Sequence, residues 1–196
     1  MNTSYKMYCL GNVLLDKGYS YMNSESNVDK KAQRMNNINR GTMGALYDLT
    51  YDSTKIIDRL YLGNSCNARN YYELEKDSIG LIVNSSPCIS NYFKNIYEYY
   101  NLEVEDISGA DIFSHLGTVV DTMHQYLEDN PQKGVFVHCF MGSSRSATII
   151  IAYLMKYHKY KLTDALEFVK SKREVVNLNK DFFTQLGEFD KIINNT

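Results

Sequence analysis

Cys139 is the residue of this chain whose neighbours are best suited to make it a nucleophile. Arg145 follows six positions later, and between them lie Phe140, Met141, Gly142, Ser143 and Ser144. A cysteine attacks as its thiolate, and nearby positive charge favours that form. Arginine offers a planar fork that holds two phosphate oxygens at once. Small residues at Gly142, Ser143 and Ser144 let the chain curl so that successive amides point inward as an anion nest. The chemistry implied is capture of a phosphoryl group and its attack by sulfur.

Such a loop needs a fixed frame on both sides. Before it, Gly134-Val135-Phe136-Val137 reads as a buried strand. After it, the apolar run Ile149 to Met155, with Ala147, Ala152, Leu154 and Met155 as good helix formers, reads as a buried helix. A helix N-terminus supplies unpaired amides and the positive end of the peptide dipoles. In that field a thiol pKa falls to roughly 3.5–7.5. A buried cysteine at a strand–loop–helix junction is the plain structural alternative. At roughly one chance in twenty per position, however, His, Cys, Gly, Arg and Ser at this spacing coincide on the order of 10⁻⁴ times per chain.

His138-Cys139-x5-Arg145-Ser146 resembles the signature loop of cysteine-dependent protein phosphatases, and Gly142-Ser143-Ser144-Arg145-Ser146-Ala147-Thr148 resembles its dual-specificity branch. The likeness extends from Ile56 to Ile193. It includes Ile56-Ile57-Asp58-Arg59-Leu60-Tyr61-Leu62-Gly63-Asn64, Leu162-Thr163-Asp164-Ala165 and Asn179-x2-Phe182-x2-Gln185-Leu186. The resemblance implies an α/β fold, a phosphatase-type three-layer domain whose central, mostly parallel sheet is flanked by helices. It implies a cysteinyl-phosphate intermediate on Cys139, with no metal and no cofactor. The loop Phe140, Met141, Gly142, Ser143, Ser144 and Arg145 would bind the phosphate, His138 would tune the thiol, and Ser146 would help the thiolate leave in the second step.

Expelling an alkoxide or phenoxide calls for a proton donor, and the resulting carboxylate can then take a proton from the attacking water. Glu103, Glu105, Asp106 and Asp111 all lie upstream of the loop, and the residues alone leave the choice open. The resemblance places the acid in a loop after a strand and ahead of a helix, at Asp106, 33 positions before the nucleophile (139 − 106).

No Lys or second Arg occurs between Cys139 and Arg145, which favours phosphate monoesters over polyphosphates. The chain has no Trp, so the Trp-Pro-Asp loop of the larger tyrosine-specific phosphatases is absent. The resemblance implies hydrolysis of phosphotyrosine and phosphoserine or phosphothreonine in protein partners. Phe140 and Met141 depart from the small residues commoner in the family and bear on substrate preference. The alternatives are a phosphoprotein-binding module of the same fold without turnover, or an RNA 5′-triphosphate or lipid phosphatase. Cys88 is expected to be an idle thiol, and His115, His124 and His158 surface residues.

The remaining sequence supplies the scaffold. With 196 residues and a net charge of −2, the chain fits one domain plus an extension, and nothing in it suggests binding to nucleic acid. Its four cysteines, Cys9, Cys66, Cys88 and Cys139, form no CxxC pair, which argues against a zinc site or a disulfide framework. No apolar stretch reaches membrane-spanning length, residue 2 is Asn2, and the C-terminus carries no lipidation cysteine. A cytoplasmic or nuclear protein without membrane attachment is expected. Residues 1–52, rich in Asn, Ser and charge from Asn23 to Arg40, read as a flexible extension, and 53–196 as the catalytic domain.

Strands are expected at Ile56 to Asn64, Gly80 to Asn84 and Tyr97 to Val104, with a short helix from Ala68 to Glu75. Leu116, Val119, Val120, Met123 and Leu127 define one face of a helix from Ser114, its expected N-cap, to Glu128. Further helices are expected around Leu162 to Val169 and after Asn179.

Overall fold

Parity along the strands sorts the core. In an extended chain successive side chains point to opposite faces. Leu60, Leu62, Leu81, Val83, Val135 and Val137 accordingly join one buried cluster, while Tyr61, Ile82 and Phe136 join another. The structure is a computed structural model that describes residues 52–194. The expected extension, 1–52, lies outside the described residues apart from Asp52.

The strands are β1 (Thr54–Ile57), β2 (Leu60–Gly63), β3 (Ile79–Asn84), β4 (Glu98–Asn101) and β5 (Gly134–His138). They form one sheet in the order β1-β2-β5-β3-β4. β1 runs antiparallel to β2, and the pairs β2·β5, β5·β3 and β3·β4 are parallel. The helices are α1 (Tyr71–Lys76), α2 (Phe113–Asp129), α3 (Arg145–His158), α4 (Leu162–Lys172) and α5 (Lys180–Asn194). The larger cluster draws on α2 to α5, through residues such as Met123, Ile150, Val169 and Phe182. The smaller one is covered by Leu74 of α1, Ala68 and Ile89. Helices on one face, the sheet, and α1 with its flanking loops on the other face make the expected three layers.

β5 lies between two parallel neighbours and all of its residues are buried, which is why its sequence is a continuous apolar run. Its last residue, His138, pairs with Gly63 of β2 and Asn84 of β3. The carboxyl ends of three strands therefore meet at one point, where open α/β sheets bind ligands.

Several local expectations need correction. The single strand expected over Ile56 to Asn64 is a hairpin: Asp58 and Arg59 turn the chain, and Arg59 takes φ 57°. The Arg59 guanidinium reaches across to donate to the Leu127 and Asn130 carbonyls at 2.8 and 3.1 Å, capping the end of α2. The helix expected from Ala68 to Glu75 is a 3-10 turn (Asn67–Arg69) followed by α1, with Asn70 between them accepting the Glu73 amide. β4 ends at Asn101 because Leu102 and Val104 then turn into the core. Ser114 is not the cap of α2. Gln185 of α5 accepts the Ile112 and Phe113 amides at 2.9 and 2.8 Å, and Asp111 accepts the Ser114 amide at 3.1 Å. Of the histidines, His115 and His158 are exposed, whereas His124 is half-buried and stacks on Tyr157 at 3.8 Å.

Candidate active site

Between β5 and α3 the chain reverses in six residues, 139–144. Gly142 makes the reversal with φ +68°, and a Cβ there would lie 2.5 Å from the Gly63 carbonyl oxygen. Only glycine meets both conditions. The Gly142 amide consequently points at the nucleophile, donating to Cys139 Sγ at 3.2 Å. Neighbouring loops fix the rest of the turn. The Phe140 carbonyl accepts the Ser65 amide at 3.1 Å, and the Ser143 carbonyl accepts the Asn177 amide at 3.0 Å. Phe140 packs against the smaller core, while Met141 is 47% exposed at the rim. α3 begins without a side-chain cap, and its first turn carries Arg145 and Ser146.

The Ser146 hydroxyl donates to Cys139 Sγ at 3.2 Å. Arg145 is buried and donates through one terminal nitrogen to Ser86 Oγ and to the Val104 carbonyl, both at 3.2 Å. Burial pushes the Cys139 thiol up. The Arg145 charge and the hydrogen bonds from Ser146 and Gly142 outweigh it, so the thiol lies below its ordinary value. His138 is buried, and its ring stacks on Phe136 with centroids 5.6 Å apart. Its pKa falls to about 4, first through burial and then through Arg145, so the imidazole is neutral at neutral pH. The Ser85 amide and hydroxyl both donate to the His138 carbonyl, at 2.9 and 2.8 Å, and lock the strand end.

Asp106 enters from the loop after β4. Its Oδ1 accepts Ser144 Oγ at 3.1 Å and Asn179 Nδ2 at 3.4 Å, and its Oδ2 lies 3.6 Å from Arg145 Nε. Of the other carboxylates weighed, Glu103 and Asp111 are exposed, and Asp111 is engaged at the start of α2. The structure thus brings Cys139, Arg145, Ser146, His138 and Asp106 together around one loop. Cys88 is half-buried with its sulfur 3.5 Å from Ser86 Oγ.

Two contributors went unseen in the sequence. Ser86 holds the arginine. Arg173, 2% exposed, donates through Nε to the Gly142 carbonyl at 3.0 Å and through a terminal nitrogen to the Asp52 carbonyl and Thr54 Oγ1 at 3.0 and 3.1 Å. It ties the loop to the start of β1. A buried arginine is unusual unless engaged, but a lone Arg after a helix carries no local sign of that. Among the described residues, no group of three or more His, Cys, Asp or Glu is arranged to hold a metal ion, and no helix is long and apolar enough to cross a membrane.

A thiol with lowered pKa beside an arginine and a glycine-dependent loop, at the strand ends of a three-layer α/β domain, has the chemistry to take a phosphoryl group. Comparison with known proteins gives the class a family. The model of the dual specificity phosphatase catalytic domain matches residues 60–192. Protein phosphatase Slingshot of Drosophila melanogaster is 36% identical over 142 residues, 71% of this chain and 13% of that protein. A protein of Invertebrate iridescent virus 6 named as a tyrosine phosphatase is 36% identical over 147 residues, 74% of this chain and 96% of the viral one. The crystal structure of human DUSP28 superposes with a TM-score of 0.69 at 25% identity, covering 72% of this chain and 98% of that one. The chain therefore belongs to the dual specificity phosphatase family. It spans about an eighth of the length of the Slingshot relative but nearly all of the viral one.

Proposed function

We propose that the protein hydrolyses phosphotyrosine and phosphoserine or phosphothreonine monoesters of proteins through a cysteinyl-phosphate on Cys139. The observation that carries this reading is the sulfur itself, held at 3.2 Å by both the Gly142 amide and the Ser146 hydroxyl beneath Arg145. In the first step the thiolate attacks phosphorus, a P–S bond forms, the P–O bond to the substrate breaks, and protonated Asp106 gives its proton to the departing oxygen. Arg145 and the loop amides hold the equatorial oxygens, where charge gathers. In the second step water attacks phosphorus, Asp106 takes its proton, and the sulfur leaves as a thiolate supported by Ser146. Each bond change is an acid–base or nucleophilic event on residues of this chain, with no metal called for.

Phe140, Met141, Gly142, Ser143 and Ser144 carry no positive side chain, which supports a monoester over a polyphosphate. The relatives do not favour a non-catalytic phosphoprotein-binding module, nor an RNA or lipid phosphatase. A thiol kept reactive in this way suits a reducing compartment, the cytoplasm or nucleus.

The test is hydrolysis of an aryl phosphate and of phosphotyrosine and phosphothreonine peptides, with and without chelator, beside Cys139→Ser. Chelator-insensitive turnover of all three that disappears in the variant is the expected result. Folded protein that binds phosphopeptides without turnover would refute the reading.

A further inference from the structure

The loop that carries Asp106 has almost no regular structure of its own: after β4 ends at Asn101, no helix or strand begins until Phe113. Loops without such support are ordinarily the mobile part of a site. Here three side chains at the start of α5 take hold of it almost residue by residue. Asn179 donates to Asp106 Oδ1 at 3.4 Å and to the Ile107 carbonyl at 3.1 Å. Asp181 Oδ2 accepts the Ser108 hydroxyl at 2.8 Å and the Gly109 amide at 2.7 Å, the latter at a glycine with φ +79°. Gln185 donates to the Ala110 carbonyl at 2.8 Å and accepts the Ile112 and Phe113 amides at 2.9 and 2.8 Å.

The spacing has a reason. Asn179 caps α5 by accepting the Asp181 amide at 2.9 Å, which leaves its amide nitrogen for the loop. Asp181 and Gln185 stand four apart, on one face of the helix. Phe182, Leu186 and Phe189 anchor the adjacent face in the core. The partners run in order along the loop, 106–107, then 108–109, then 110–113, so the loop lies along the helix in a single register.

We infer that Asp181 and Gln185 are positioning residues for the reaction, fixing the acid loop along α5 so that Asp106 is set opposite Cys139 before substrate arrives. This rests on the reading of Asp106 as the general acid. A displacement of about 1 Å in a reacting group can cost up to about a hundredfold in rate, and the hydrogen bonds of both residues described above go to the loop.

The test compares kcat/KM, which reports only the first step, for an activated aryl phosphate and for a phosphothreonine peptide whose alkoxide must be protonated to leave. Asp181→Ala and Gln185→Met should each lower the value for the phosphothreonine peptide by about tenfold, and that for the aryl phosphate by no more than about twofold, a split that tracks general-acid efficiency. Asp181→Asn, which keeps an acceptor oxygen, should recover part of the loss. Combined with Asp106→Asn, neither substitution should lower the peptide rate further, because the two act through one group. Vanadate affinity and the melting curve report whether each variant is folded with an intact loop. Equal losses on both substrates, additive loss with Asp106→Asn, or no loss would overturn the inference. Should Asp106→Asn itself lack the leaving-group split, the acid assignment fails and the inference with it.

Discussion

Asp106 Oδ2 stands 3.6 Å from Nε of Arg145, so the carboxylate proposed as acid and the guanidinium proposed to hold phosphate face each other across the site. The contact is ionic and lies just beyond hydrogen-bond length. Asp106→Asn keeps shape and the Ser144 contact but removes the proton donor. Its kcat/KM for a phosphothreonine peptide should fall by about 10²- to 10⁴-fold while phosphate still binds. A near wild-type rate would place the acid elsewhere.

The nucleophile offers a second prediction. Burial raises the thiol, and Arg145, Ser146 and Gly142 together bring it below its ordinary value. Alkylation by iodoacetamide should therefore persist at pH values where an exposed cysteine has stopped reacting. Ser146→Ala removes one of the two hydrogen bonds to sulfur and should shift that profile upward. Overlapping profiles for the two proteins would mean that the hydroxyl does not stabilise the thiolate.

Gly142 should tolerate no side chain. Its φ of +68° and the 2.5 Å approach of a Cβ to the Gly63 oxygen require the loop backbone to move. Gly142→Ala should cost about 1–3 kcal/mol of stability and nearly all turnover, since the amide on Sγ moves with it. Gly109, also at positive φ but with open space around it, provides the contrast. Urea melts of Gly142→Ala and Gly109→Ala should rank the first as clearly the more damaged.

His138 sets a pH dependence of stability. Its folded pKa of about 4 lies below the ordinary 6.5, so the unfolded chain binds the extra proton first as pH falls. This contribution is complete above pH 6.5 and shrinks toward pH 4, by on the order of 3 kcal/mol. Denaturant midpoints measured across that window should fall less steeply for His138→Gln than for the wild type. Parallel curves would show that the imidazole is not buried neutral.

The residues legible in the sequence were those whose chemistry is local. His138, Cys139, Arg145 and Ser146 share a single strand–loop–helix, and their spacing carries the geometry. Strand parity and the helical stripes were equally local, which is why β3, β5 and the last four helices appear where expected. What escaped depends on contacts between distant segments. The hairpin at Asp58 and Arg59 is tied to the end of α2 by the Arg59 guanidinium. Ser86, Val104 and Arg173 serve the site through hydrogen bonds spanning 31 to 59 positions. Ser114 looked like a helix cap because Gln185, 72 and 73 residues away from the amides it accepts, is invisible to any local rule. Asn179 was legible as the residue ahead of the last helix, but its contact with Asp106 was not.

The central claim is covalent: the phosphoryl group passes to sulfur. Mixing Asp106→Asn with an activated aryl phosphate, whose leaving group departs without a proton, and quenching in acid within one turnover should leave a phosphoryl group on the peptide containing Cys139, detected by mass spectrometry. Removal of the proton acceptor for the second step should make it accumulate. Phosphate release without any modified Cys139, from protein that turns over in the same experiment, would contradict the account.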